Sequence, residues 1–96
     1  MPTKPYKESL LERLSDSEYA VEYLTNVLQD ESQEAFLLAL SYVIEAKGYT
    51  IPQLADEVGL TKQGLYKLLS DGGNPRLSTL NQVLESIGMK IRIEVE

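Results

Sequence analysis

Apolar residues recur at intervals of three and four along most of the chain, and only its last stretch changes to strict alternation. In "YKESLLERL", Leu10, Leu11 and Leu14 share one side of a short helix. In "SDSEYAVEYLTNVLQD", Ala20, Tyr23, Leu24, Val27 and Leu28 do the same, with Ser15 or Asp16 as the cap. "ESQEAFLLALSYVIEAKG" is the most apolar segment. Phe36, Leu37, Leu40, Val43 and Ile44 form its inward face, Lys47 suits the negative helix end, and Gly48 suits a left-handed stop. Residues 1 to 5, with two prolines, read as a loose lead-in.

The next segments are short. In "TIPQLADEVG", Thr50 and Gln53 fit a capping box, and Pro52 falls in the first turn, where its missing N–H costs nothing. Gly59 ends that helix, and Thr61 caps "KQGLYKLL". "SDGGNP" is a turn cluster. "RLSTLNQVLESIG" reads as the last helix, with Ser78 as cap, Leu80, Val83, Leu84 and Ile87 inward, and Gly88 as stop. "MKIRIEV" puts Met89, Ile91, Ile93 and Val95 on one face and Lys90, Arg92 and Glu94 on the other, which predicts a strand. A lone strand leaves its backbone groups unpaired, so these four apolar residues are expected to form a dimer strand, pairing with the same strand of a second subunit across a two-fold axis, or else to pair with a partner's sheet edge.

The pair of helices around Gly59 has the spacing of a helix-turn-helix. Ala55 supplies the small residue where two crossed helices touch, and Gly59 follows four residues later to make the turn. Leu54, Val58, Leu60, Leu65 and Leu68 are expected to tie both helices to the core. Lys62, Gln63, Tyr66 and Lys67 then fall on one outward stripe. Lysine and glutamine are types that read guanine and adenine edges, and tyrosine can meet a phosphate or a thymine methyl. The stripe lies at the helix start, the end that enters a major groove. Thr61 at the cap and Arg76 after the "GNP" turn complete the candidate DNA contacts, Arg76 toward phosphate. Gly64 costs this helix about 1 kcal/mol relative to alanine.

Charge at first speaks against a nucleic-acid partner, since the 96 residues hold 15 acids against 9 bases, a net charge of −6. Its distribution changes that. Residues 1 to 34 carry three bases against eight acids, whereas residues 61 to 93 carry five (Lys62, Lys67, Arg76, Lys90, Arg92) against Asp71 and Glu85. Phosphate contacts depend on local cations, not on the total. The acidic end is either a solvated face or a docking surface for a basic protein. With neither cysteine nor histidine, the chain has no thiolate nucleophile or thiolate metal site and lacks the commonest general base. No cofactor, metal site or enzymatic activity is expected. No apolar run reaches the ~20 residues of a membrane span, and the start lacks a signal-peptide core. The expected location is therefore cytoplasmic.

"LADEVGLTKQGLYKLLSDGGNPRLSTLNQVLESIGMKI" resembles the Cro/C1 (XRE-like) helix-turn-helix domains. It resembles more narrowly the addiction-module antidotes, the antitoxins of type II toxin–antitoxin pairs. Gly59, Leu60, Leu65, Tyr66, Leu69, Gly73, Asn74, Pro75, Thr79, Leu80, Val83, Leu84 and Gly88 carry the likeness. "AVEYLTNVLQDES" and "AFLLALSYVIEAKG" extend it toward the amino terminus. The resemblance implies a homodimer that binds double-stranded operator DNA, represses its own operon and neutralises a small basic toxin of the RelE/ParE-like kind.

The expected fold is therefore all-α, a five- or six-helix Cro/C1-type domain with a short carboxy-terminal β-strand. Residues 1–34 would form an acidic helical region and residues 35–96 the DNA-binding part with its strand. A stand-alone XRE-family regulator without a toxin remains an alternative, as does an interaction adaptor that no longer meets DNA.

Overall fold

The computed structural model describes residues 6–70 and 72–96. The lead-in and the turn position Asp71 lie outside the described residues. Six helices follow one another: α1 (Tyr6–Leu14), α2 (Ser17–Asp30), α3 (Gln33–Ala46), α4 (Ile51–Val58), α5 (Lys62–Leu69) and α6 (Leu77–Ser86).

Local chemistry accounts for most boundaries. Asp16 accepts the Glu18 N–H at 3.0 Å and starts α2. Ser32 accepts the Ala35 N–H at 3.1 Å and starts α3. Helix α4 opens on a complete capping box: Thr50 accepts from the Gln53 N–H, and the Gln53 side chain accepts from the Thr50 N–H, both at 3.3 Å. It closes at Gly59, whose φ of 74° is a left-handed conformation that a β-carbon would strain. There the Gly59 N–H reaches the Asp56 carbonyl and the Leu60 N–H reaches that of Ala55, so two orphan carbonyls are satisfied. Helices α3 and α6 end through the same pair of backbone bonds, at Gly48 and Gly88.

Helix α3 is the hub. It packs against α1, α2 and α5, while α4 joins α5 to α6. Phe36, Leu37, Ala39, Leu40, Val43 and Ile44 of α3 are buried in a single apolar cluster that also takes side chains from the other five helices. Leu14, Leu37, Leu40, Ile44, Leu54 and Leu65 are among its fully enclosed side chains. Each contributes roughly 1.5–3 kcal/mol by leaving water. The Lys47 ammonium donates to the Ser17 hydroxyl at 2.6 Å and ties the end of α3 to the start of α2.

Three expectations change. The tail "MKIRIEV" is not a strand; among the described residues there is no strand at all. The alternation is present, but a ladder requires a partner edge, and six helices offer none. Met89 and Ile91 pack against the core, whereas Ile93 and Val95 are 94% and 100% exposed. Ser78 does not cap α6. The helix begins two residues earlier than a Ser78 cap would set it, at Leu77, with Arg76 at the cap position and no side-chain cap bond. Leu28, expected inward, is 48% exposed at the end of α2.

On the α1–α2–α3 side, burial pushes the Tyr23 phenol above its usual 10.0, and the neighbouring phenols of Tyr6, Tyr42 and Tyr19 push it the same way. A neutral phenol is thus favoured in the folded chain. The associated stability is fully present below pH 10.0 and is lost as pH rises through the raised value. Urea titrations on the alkaline side should show the midpoint of Tyr23→Phe falling less steeply with pH than that of the parent chain. Equal slopes would assign the loss to other groups.

Candidate nucleic-acid interface

Helices α4 and α5 are joined by Gly59, Leu60 and Thr61. Ala55 and Leu54 are buried on α4, and Val58 and Leu60 pack against the core from around the turn. The Thr61 hydroxyl accepts the Gly64 N–H at 2.9 Å, capping α5. Leu65 is wholly buried, and Leu69 is buried beside it; Leu68, expected inward, is only half-buried. These anchors fix the rotation of α5, so the opposite side is set by geometry.

That side carries Lys62, Gln63, Tyr66 and Lys67, all exposed, with Tyr66 at 58%. Thr61 is exposed at the cap, and Arg76 is exposed at the start of α6. Neither Lys62, Lys67 nor Arg76 is ion-paired with another described residue. Their charge stays available to a polyanion. Helix α5 contains no acidic residue.

Gly64 has a local explanation. A β-carbon there would sit 3.0 Å from the Thr61 hydroxyl, crowding the oxygen that caps the helix. Gly64 also borders a concavity of about 500 Å³ beside the stripe, which Lys67, Gly73 and Pro75 line as well.

The sequence reading missed the brace beneath that concavity. Gln33, the first residue of α3, donates from its amide nitrogen to the Gly73 carbonyl at 3.3 Å and to the Asn74 side-chain oxygen at 3.2 Å. The turn between α5 and α6 is thereby held to a helix forty residues earlier. Gly73 is needed for a different reason from Gly59. A β-carbon on it would run into the Leu68 carbonyl oxygen and lie 2.9 Å from the Leu68 carbonyl carbon. The two glycines of "GGNP" hint at such a turn, but a contact forty residues away leaves no periodic signal.

Also absent from the sequence reading is an apolar groove of about 310 Å³ between the α2–α3 junction and the start of α6. Leu28, Phe36, Leu37, Pro75, Leu77 and Leu80 line it, with Glu31 at its edge. Elsewhere the acidic side chains of α2 are spread along an exposed surface, Glu18 and Glu22 one turn apart. No three acidic side chains converge as metal ligands among the described residues. No described helix is long and apolar enough to cross a membrane.

Comparison with known proteins bears on this arrangement. A protein of Haemophilus influenzae (strain Rd), itself described as uncharacterized, is 31% identical over 83 residues, 86% of this chain and 84% of its own length. No solved structure matches the chain significantly. A protein family matches residues 6–95, all six helices and nearly all of the tail, and its description is "Probable addiction module antidote protein". By that match the chain belongs to the family of probable addiction module antidote proteins.

Proposed function

We propose that this protein is the antitoxin of a type II toxin–antitoxin pair. It binds operator DNA as a dimer through a Cro/C1-type helix-turn-helix formed by α4 and α5, represses its own operon, and neutralises a small basic RelE/ParE-like toxin in the cytoplasm. The observation that carries the DNA half is the stripe on α5. Lys62, Gln63, Tyr66 and Lys67 share one exposed face, held in place by buried Leu65 and Leu69. Thr61 stands at its start, and Arg76 adds a cation beyond the turn. Family membership supports the toxin half. The acidic surface of α2 supports a basic partner, because complementary charge speeds encounter and lowers the cost of close approach.

Coexpression with the neighbouring gene products tests the reading as a whole. A small basic protein should copurify and be toxic alone, and the complex should shift DNA from upstream of the operon. A chain that shifts this DNA yet has no toxic neighbour would be a stand-alone regulator. The charged surface has its own test. Glu18→Lys combined with Glu22→Lys should slow toxin association roughly tenfold at low salt and less at high salt. Association rates unchanged at both salt concentrations would make these carboxylates a solvated face.

A further inference from the structure

Residues 90 to 96 form no backbone hydrogen bond with any described residue. Their side chains nevertheless alternate as a strand's do. Arg92 and Glu94 lie on the same side, with Nε and Oε1 3.7 Å apart. Met89 and Ile91 lie against the core, and the apolar row continues past the protein's edge into Ile93 and Val95, which touch almost nothing. A segment with free backbone groups and an overhanging apolar row calls for a second strand.

We infer that the second strand is the same segment of a second copy, antiparallel and in one register, with the two-fold axis at Ile93. Resting on the dimer reading above, this inference names the surface that makes the dimer. The register follows from the charges. Centred on Ile93, the pairing sets Arg92 opposite Glu94, Lys90 opposite Glu96 and Ile91 opposite Val95, with Ile93 opposite its own copy. Both kinds of charged pair are then of opposite sign, and Ile91, Ile93 and Val95 each face an apolar residue. Centring on Arg92 opposes that arginine to itself. Centring on Ile91 sets Lys90 against Arg92, and centring on Glu94 opposes two carboxylates. A slip of one residue would put apolar and charged side chains on the same face. The Ile93 register alone avoids all these conflicts.

The pairing also explains why Ile93 and Val95 are exposed in a single chain. In the ribbon, Ile91, Ile93 and Val95 of both copies form one apolar face, continuous with Met89 and the core. A free two-stranded ribbon is marginal in water, and this packing supplies what it lacks.

The test uses the full chain, which has no cysteine of its own. Directly opposed residues on antiparallel strands bring their Cα atoms to about 4.5–5.5 Å, within disulfide range. Under mild oxidation Ile93→Cys should therefore cross-link to itself. Arg92→Cys and Glu94→Cys should cross-link poorly alone and readily when mixed. Glu94→Lys should raise the dimer dissociation constant about tenfold by placing like charges across both symmetric pairs. Adding Arg92→Glu should restore it. Strongest self-linking at position 92 or 91 would overturn the register. A monomer at all concentrations, or a dimer unchanged by deletion of residues 89 to 96, would overturn the pairing itself. Toxin copurification, measured on the same variants, reports separately on the antitoxin reading.

Discussion

Gln63→Ala is expected to narrow the gap between operator and random DNA, whereas Arg76→Ala should leave the gap and lower both affinities. Gln63 lies in the first turn of α5, fully outside the core, where a side chain can reach base edges. Losing a base contact costs roughly 1–3 kcal/mol, and a symmetric dimer loses it in both half-sites. Lys62→Ala should act in the same direction. Arg76 sits at the cap position just before α6 without a cap bond or an ion pair to a described residue, and its guanidinium suits phosphate. Removing it should reduce the salt slope by about one unit per phosphate contact. Titrating each variant against operator and scrambled duplexes at two salt concentrations separates the two behaviours. If neither Gln63→Ala nor Lys62→Ala changes operator preference, α5 does not read bases and the adaptor reading gains.

Gly73→Ala should be the most damaging small substitution in the chain, lowering stability by about 3 kcal/mol. The obstacle is backbone, the Leu68 carbonyl group, and no side chain can rotate away to make room. The turn would have to move. That movement would pull the Gly73 carbonyl and the Asn74 side chain from the Gln33 amide. It would also disturb the junction that sets α6 relative to α5. Gln33→Ala removes only the exposed brace and should cost about 1 kcal/mol. Urea unfolding measures both. A Gly73→Ala midpoint equal to that of the parent chain would mean the turn relaxes freely, and the brace would then carry no positional role.

The same two sites mark the limit of what is legible in sequence. Helix caps are local chemistry. Thr50 with Gln53, Thr61, Asp16 and Gly59 act within four residues of themselves, so their spacing alone announces them. The exposed stripe on α5 is nearly as local, because burying Leu65 turns Lys62, Gln63, Tyr66 and Lys67 outward. Ser78 misled because a serine ahead of an apolar run suits a cap, but α6 begins two residues earlier, with Arg76 at the cap position directly after Pro75. Leu28 misled because helical spacing assigns a face and not the neighbour that covers it. Its place beside Leu77 and Leu80 in the groove depends on where α6 lies.

By itself, then, the sequence determined the helices, most of their ends (the start of α6 excepted), the partition of charge and the face that α5 turns to solvent. All are consequences of backbone geometry repeating over a few residues. Tertiary structure alone decided three things: the role of α3 as hub, the Gln33 brace under the turn, and the state of the tail. Each depends on groups far apart in the chain meeting, or failing to meet, in space. The alternation of "MKIRIEV" is a property of the sequence, but a strand is a property of two segments, and a single copy of this chain holds only one.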